Sequence, residues 1–554
     1  MKTLLLASLL SLLSACGGGG GGSSASVAVG GGTSTSADSG GTGGSQTDTS
    51  SANGVAMTLL PASLKASQAQ GDSLVLTFEA RTNQIFDGKN VSFGVFDSNS
   101  IGNSISQVGL SLSNYQVQIV TSSKLAVGTY SGVFEVRVCK DFAVVCAQPL
   151  PGSPWKLPYT LEVKAPNLKA LPPLPGGADW TSVQGNREHN GYVPVTLNVN
   201  NFSPRFYLSL SESNKQFTLM SHQNGAGYLG SKSFAGGDML AIDENTGKLK
   251  WTYSMPGDTS LTQPAAENDQ VYFVMTRSGS SSIFRISQQS GQVPTTQPLG
   301  TQTVTGGTPT ADAQSVHGSD GAGTYLYSFS PTSISFNWRY LGSDTGVRTG
   351  TWSPAIDNDF AYAYTVINDR GDASLFIFDR KTGRLVKSIA GNAASVQGNI
   401  SSTYPALCNS KNVLTSLAGT TLSMFDLAQS TVKWKATGSF QSPPVCSPLA
   451  VYVLNESGIE VRSVDNGNVL WTWPLPAANH TVYAYKTGMS KSLLLTNNLL
   501  FVSTERNVYA IDVNTHQSVW AYPKEGQLSM SRNGVLYLQS FFNSGGDITA
   551  INLQ

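Results

Sequence analysis

LAIDENTGKLKW, residues 240–251, decides the fold. A short apolar run ends at Ile242, Asp243 is followed four residues later by Gly247, and a second short run ends on Trp251. An Asp whose carboxylate can accept from its own backbone, with a Gly free to take positive φ, makes a tight turn between two strands. The pattern returns as FRISQQSGQVPT (284–295), YSFSPTSISFNW (327–338), FIFDRKTGRLVK (376–387), SMFDLAQSTVKW (423–434), EVRSVDNGNVLW (460–471) and YAIDVNTHQSVW (509–520). An eighth, truncated copy is TAINLQ (549–554). The turn column reads Asp243, Ser287, Ser330, Asp379, Asp426, Ser463, Asp512 and Asn552, and the last column holds Trp251, Trp338, Trp434, Trp471 and Trp520. Copies are 37 to 49 residues apart, room for four short strands each. A Pro at the same phase, as in Gln263-Pro264-Ala265 and Tyr404-Pro405-Ala406, marks where a new first strand opens, the place where a Pro harms pairing least.

An in-phase repeat of this length predicts radial blades. The eighth copy stops before its outer strand, so Phe202 to Leu210 is expected to supply it and close the ring. Trp at one column in five copies is expected to pack between blades rather than to stack sugars.

Upstream, residues 57–165 alternate like a sandwich, with runs such as Leu74 to Phe78, Tyr115 to Ile119 and Val133 to Val138. Leu125-x-x-Gly128-x-Tyr130 before a strand reads as a tyrosine corner. Residues 166–177 are a Pro-rich linker, and the propeller occupies 178–554. The expected fold is therefore all-β, an immunoglobulin-like sandwich followed by an eight-bladed β-propeller, with seven blades the alternative because the second and third copies are degenerate.

At the N-terminus, Lys2, the apolar run Leu4 to Leu13 and then Leu13-Ser14-Ala15-Cys16 describe a secretory signal over residues 1–15. The run is shorter than the roughly 20 apolar residues of a membrane span. Cys16 resembles the lipidated cysteine of bacterial lipoproteins, and residues 16–56, rich in Gly, Ser and Thr, read as a flexible tether. Gly rather than Asp at position 17 suits outer-membrane sorting.

Charge is balanced, 34 Lys and Arg against 34 Asp and Glu, which gives no field for nucleic acid. With Cys16 committed to lipid, four of the five cysteines remain, Cys139, Cys146, Cys408 and Cys446, expected to form two local disulfides in an oxidising compartment. Cys408 and Cys446 lie near the starts of successive blades, where first strands run side by side.

The repeats, with the opening Trp180, Gln184-Gly185-Asn186, His189 and Gly191, resemble the PQQ-like β-propeller superfamily. Anchor and propeller together resemble the scaffold lipoproteins of outer-membrane β-barrel assembly, which lack an immunoglobulin-like module. The resemblance implies no catalysis by itself. Quinoprotein dehydrogenases of this superfamily carry PQQ, calcium and a disulfide between adjacent cysteines, and this chain has no adjacent cysteines. The five histidines, His189, His222, His317, His480 and His516, show no His-x-x-x-His spacing. Asp357, Asp359, Asp369 and Asp372 match no EF-hand and read as two turns. No catalytic residue, metal site or cofactor is therefore expected. The expected function is a lipid-anchored scaffold on the periplasmic side of the outer membrane, with an envelope protein as partner. A surface adhesin or carbohydrate binder is one alternative, and a PQQ-dependent dehydrogenase is another.

Overall fold

The computed structural model describes residues 46–47, 55–85, 91–210, 215–233, 236–257, 259–292, 295–301, 307–319, 325–341, 353–366, 373–391, 404–417, 419–476, 491–541 and 545–554. The signal, Cys16, His480, Asp369 and Asp372 lie outside them, as does most of the loop Pro476 to Ser490.

Eight antiparallel sheets follow one another through the C-terminal region, each built on a path of four strands. Their inner strands, Ser221–Gln223, Ala265–Glu267, Thr310–Ala311, Ala355–Ile356, Ala406–Asn409, Val445–Cys446, Ser492–Leu495 and Gln527–Met530, define blades 1 to 8. Each expected Pro stands just before or within two residues of such a strand. Blade 8 takes its outer strand from far upstream. Ser203–Ser209 pairs antiparallel with Gly546–Asn552, Ser203 opposite Asn552 and Ser209 opposite Asp547. The ring is closed as expected, and the edge of Gly546–Asn552, which the last copy would leave bare, is paired.

The turn column works as its residue types demand. Asp243 Oδ1 accepts from the N–H groups of Asn245 and Thr246, Asp379 Oδ1 from Lys381 and Thr382, Asp426 Oδ1 from Gln429, and Asp512 Oδ1 from Asn514 and Thr515. Asn552 is different. It starts no turn, and its side chain accepts from Arg205 and donates to the Asn167 carbonyl.

The Trp column staples blade to blade. The indole N–H groups of Trp251, Trp338 and Trp434 donate to the carbonyls of Gln288, Arg380 and Val464 in the next blade. The ring of Trp434 lies over Gly467, where φ is +73° and a Cβ would sit 2.7 Å from Cδ2. Trp471 instead meets His516, whose imidazole stacks on it at 4.3 Å. In blade 8 the column is filled from upstream. Phe206 pairs with Ala550 in the register in which Trp251 pairs with Ala241, and it covers Gly247 of blade 1.

The sandwich has one sheet of Gln46–Thr47, Met57–Leu60, Val75–Thr82, Asn114–Thr121 and Gly102–Ser111, and another of Leu64–Ala69, Trp155–Lys164, Gly128–Cys139 and Ser92–Asp97. This order is consistent with the immunoglobulin arrangement. The Tyr130 hydroxyl donates to the Ala126 carbonyl at 2.9 Å, which is the tyrosine corner.

Sandwich and propeller belong to one compact unit with a shared apolar core. The turn Gln70 to Ser73 inserts Asp72 between blades 7 and 8. There Asp72 meets Lys524 Nζ at 2.5 Å and the Thr549 hydroxyl at 2.9 Å, while Lys524 also pairs with Asp547 at 2.9 Å. Burial disfavours the Lys524 ammonium, but the two carboxylates outweigh it and raise its pKa. The Pro-rich stretch is held along blade 8. Arg205, fully buried, donates to the carbonyls of Asn167, Lys169 and Glu244.

Disulfides join Cys139 to Cys146 and Cys408 to Cys446, with Cα atoms 5.4 and 5.3 Å apart. The second links the inner strands of blades 5 and 6.

Candidate functional site

The segment that opens the propeller runs once around its axis. Asp179 accepts from the Arg532 N–H next to blade 8. The carbonyls of Trp180 and Thr181 then accept from His222 and Ala266 at the inner strands of blades 1 and 2. Ser182 donates to Pro309 and His189 pairs with Thr310, both at blade 3. The carbonyls of Arg187, Glu188, Asn190 and Gly191 accept from Ile356, Leu407, Cys446 and Leu495 in blades 4 to 7. Residues 179–191 thus meet all eight blades in order, each through backbone or short polar groups that an inner strand end would otherwise leave unpaired. The residues that resemble the family's opening motif make this gasket. Gly185 and Gly191, at φ +102° and +66°, let the chain turn tightly across the axis.

Three histidines sit beneath it, fully buried. His189 pairs with the Thr310 hydroxyl at 2.9 Å, His222 with Ser529 at 2.8 Å, and His317 with Ser315 at 2.9 Å. Burial, with no carboxylate strong enough to offset it, pushes each imidazole down to about 3. Each is a neutral imidazole held by a hydroxyl partner. His516 is the stacking partner already described.

The space left on the axis is about 60 Å³, lined by Trp180, Gln184, Met220, Gln263, Leu493 and Gln527 among others. That holds a few waters. A cofactor pocket is roughly 300–1,000 Å³. No carboxylate stands among the lining residues, whereas calcium needs several oxygen ligands, usually including carboxylates. PQQ with calcium does not fit this cavity as the described residues form it.

Charge gathers on the face that carries the gasket, over blades 2 to 4. Asp312 lies between Arg187, at 2.7 Å, and buried Arg380. Burial works against the Asp312 carboxylate, but the Gln314 N–H and the two guanidinium groups hold its pKa below the usual value. Glu267, nearby, is pushed up to about 7 by burial and by Asp312. Asp357 accepts from the N–H groups of Asp359 and Phe360 and from the Tyr362 hydroxyl, so it is a turn residue, as expected. A groove of about 530 Å³ opens between blades 2 and 3, lined by Tyr272, Arg285 and Pro331. It exists because the residue after the turn Asp or Ser normally reaches back across the gap, as Gln288 does to Gln223 and Arg380 to Asp312. Pro331 stands at that position in blade 3 and cannot. Sequence reasoning passed over this column. Its switch from Glu244, Gln288 and Arg380 to Leu427, Val464 and Val513 was the available signal.

A family model described as PQQ_2, outer membrane protein assembly factor BamB, matches residues 213–522. The chain belongs to this family. Among solved structures, BamB from Moraxella catarrhalis is 13% identical, with a TM-score of 0.45, covering 63% of this chain and 99% of that one. Quinohemoprotein alcohol dehydrogenase from Comamonas testosteroni is 12% identical, with a TM-score of 0.52, covering 67% of this chain and 80% of that one. The computationally designed protein Ika8 is 14% identical, with a TM-score of 0.44, covering 62% and 98%. No curated protein matches the chain. Membership in the BamB family gives a propeller scaffold. The likeness to the dehydrogenase is one of fold, so the neighbours include both binding proteins and enzymes of the same ring.

Proposed function

We propose that this BamB-family chain is a non-catalytic scaffold of the bacterial envelope, lipidated at Cys16 and facing the periplasm from the outer membrane. It holds a protein partner on a propeller face. The observation that carries the reading is the gasket. A chain that fills its own axis leaves faces and grooves, not a chamber, for binding. The surface over blades 2 to 4 is the face we assign, since Arg187, held in place by buried Asp312, and half-buried Glu267 are the charged groups of this cluster that reach solvent and can meet a partner. The immunoglobulin-like sandwich, consistent with a role in adhesion, keeps a carbohydrate or a surface receptor as the alternative partner.

Photo-crosslinking from position 187 or 314 in intact envelopes tests this. One discrete protein adduct is the expected result, and its absence at both positions would remove the assigned face. Cys16→Ser is expected to lose radiolabelled palmitate and to leave the membrane fraction. Purified protein incubated with PQQ and calcium is expected to show no dye-linked alcohol oxidation. Saturable turnover would move it to the dehydrogenases.

A further inference from the structure

The largest exposed apolar side chains of the sandwich share one end of it. Phe142, Val144 and Val145 are 79%, 63% and 70% exposed, and Ile85 and Leu112 are 65% and 66% exposed. Strand register places all five together. Ser92 pairs with Cys139, and Val136 with Trp155, at the end of one sheet from which residues 140–146 project. In the other sheet Met57 pairs with Thr82 and Ser111 with Asn114, which sets Leu112 and Ile85 at that same end. It is the end opposite the Gln70 to Ser73 turn that enters the propeller. On the propeller, by contrast, exposed apolar residues such as Leu249, Val386 and Val519 lie on the outer strands of different blades, while Leu449 stands in a turn of blade 6, whose outer strand carries Val469 and Leu470; exposed apolar residues so spread are ordinary.

The tip is built rigidly. The Cys139–Cys146 disulfide closes it, Val145 and Cys146 donate to the Phe142 carbonyl, and the Asp141 carboxylate accepts from the Ala147 and Gln148 N–H groups. Asp141 thus spends its charge inside the loop. Lys140 and Lys156, both exposed, flank the apolar residues and are in no ion pair among the described residues. A fixed loop with Phe and Val at its crest and lysines behind it is the amphipathic layout of an interfacial contact with anionic lipid. The first described strand lies near this end: Gln46 pairs antiparallel with Leu59, two residues from Met57, and its strand heads toward the tip. Only 29 residues separate Gln46 from Cys16, a length for which a Gly- and Ser-rich coil would average roughly 30 Å end to end. A lipid at Cys16 would hold this tip at high local concentration over the leaflet that carries the lipid.

We infer that the sandwich end bearing Phe142, Val144, Val145, Ile85 and Leu112 is a membrane-contact surface. It seats on the same anionic leaflet as the N-terminal lipid and so orients the propeller above it. The inference deepens the envelope-scaffold reading and rests on it, but its test does not need the lipid. The chain from Gly17 onward keeps every described residue and lacks the lipid site. It is sedimented with vesicles of phosphatidylethanolamine and phosphatidylglycerol. Binding is expected, with the F142S/V144S/V145S variant partitioning at least tenfold more weakly while its melting midpoint stays unchanged. A Phe142→Trp variant is expected to shift its emission to the blue on adding vesicles and to be quenched by brominated lipid. Equal sedimentation of the triple variant and the parent chain, or an unshifted emission from the Phe142→Trp variant, overturns the proposal. So does a photo-crosslinker at position 142 that captures protein rather than lipid in envelopes. Loss of palmitate labelling at Cys16 would instead strike the anchor reading alone.

Discussion

Gly467→Ala separates the contact between blades from the conformational freedom of glycine. Gly467 sits at φ +73°, and an added Cβ would lie 2.7 Å from Trp434 Cδ2 and 2.9 Å from Cγ. Ordinary contact begins near 3.4 Å, so the indole must retreat by roughly 0.7 Å. Trp434 is wedged between blades, with its N–H 2.9 Å from the Val464 carbonyl, and a rigid ring cannot yield without straining that bond. A left-handed non-Gly residue costs about 1–2 kcal/mol. Weakening a buried hydrogen bond adds about 1 kcal/mol, and overpacking about 1–3 kcal/mol. The sum is about 3–6 kcal/mol. At about 2.1 cal/mol/K per residue, a ring of roughly 375 residues has an unfolding entropy near 0.8 kcal/mol/K, so the midpoint should fall by about 4–8 °C. Gly225→Ala is the control. Its φ is +70°, and a Cβ there meets nothing within 4 Å, so it carries the conformational cost alone, about 1–2 °C. Calorimetry of both variants decides. Equal shifts would refute the view that the Trp-over-Gly contact holds neighbouring blades together.

Acid should weaken the ring through His189, His222 and His317. Their folded pKa values, near 3, lie below the unfolded value of 6.5. Their contribution is therefore complete above pH 6.5 and lost as pH falls toward 3. Between pH 6.5 and 5 the three together remove up to about 6 kcal/mol, at 1.36 kcal/mol per unit each, and a flat urea midpoint across that range would contradict their burial as neutral groups. Glu267 acts in the other direction. Its raised pKa, about 7 against 4.5, makes stability fall as pH rises through that window, and Glu267→Gln should abolish that part of the slope. Lys524→Met leaves Asp72 and Asp547 buried without their cation. Breaking such a pair costs about 3–5 kcal/mol, and the expected readout is faster proteolysis between residues 165 and 178 as the sandwich comes away. Non-reducing peptide mapping should recover Cys139 with Cys146 and Cys408 with Cys446, and free thiols at either pair would count against that bridge.

The blades were legible because a propeller writes its geometry at fixed columns. Asp or Ser bends the chain, Gly or a stacked His follows four residues on, and Trp closes the gap. Even Phe202 to Leu210 could be placed, because a truncated last copy demands a strand from elsewhere. That Phe206 takes the aromatic place of blade 8 was not readable, since the columns align only after the strand is paired. The gasket was visible as a motif but not as a ring, because its hydrogen bonds run to partners about 40 to 350 residues away. Nothing in the sequence around Asp72 marks it, because its partner Lys524 lies 452 residues downstream. Long-range polar pairing leaves no period in a sequence.

The position of the closing strand sets an order of events. Ser203–Ser209 is synthesised about 340 residues before its partner Gly546–Asn552. Because it emerges first, its pairing edge stays bare until the last blade has followed. Blades 1 to 7 can form in that interval, but the ring cannot lock until the last blade arrives, so any chain stopped early stays open. Closure therefore reports that the last blade has been made, and an unclosed ring offers quality-control proteases a free strand edge by which to tell a fragment from a finished molecule.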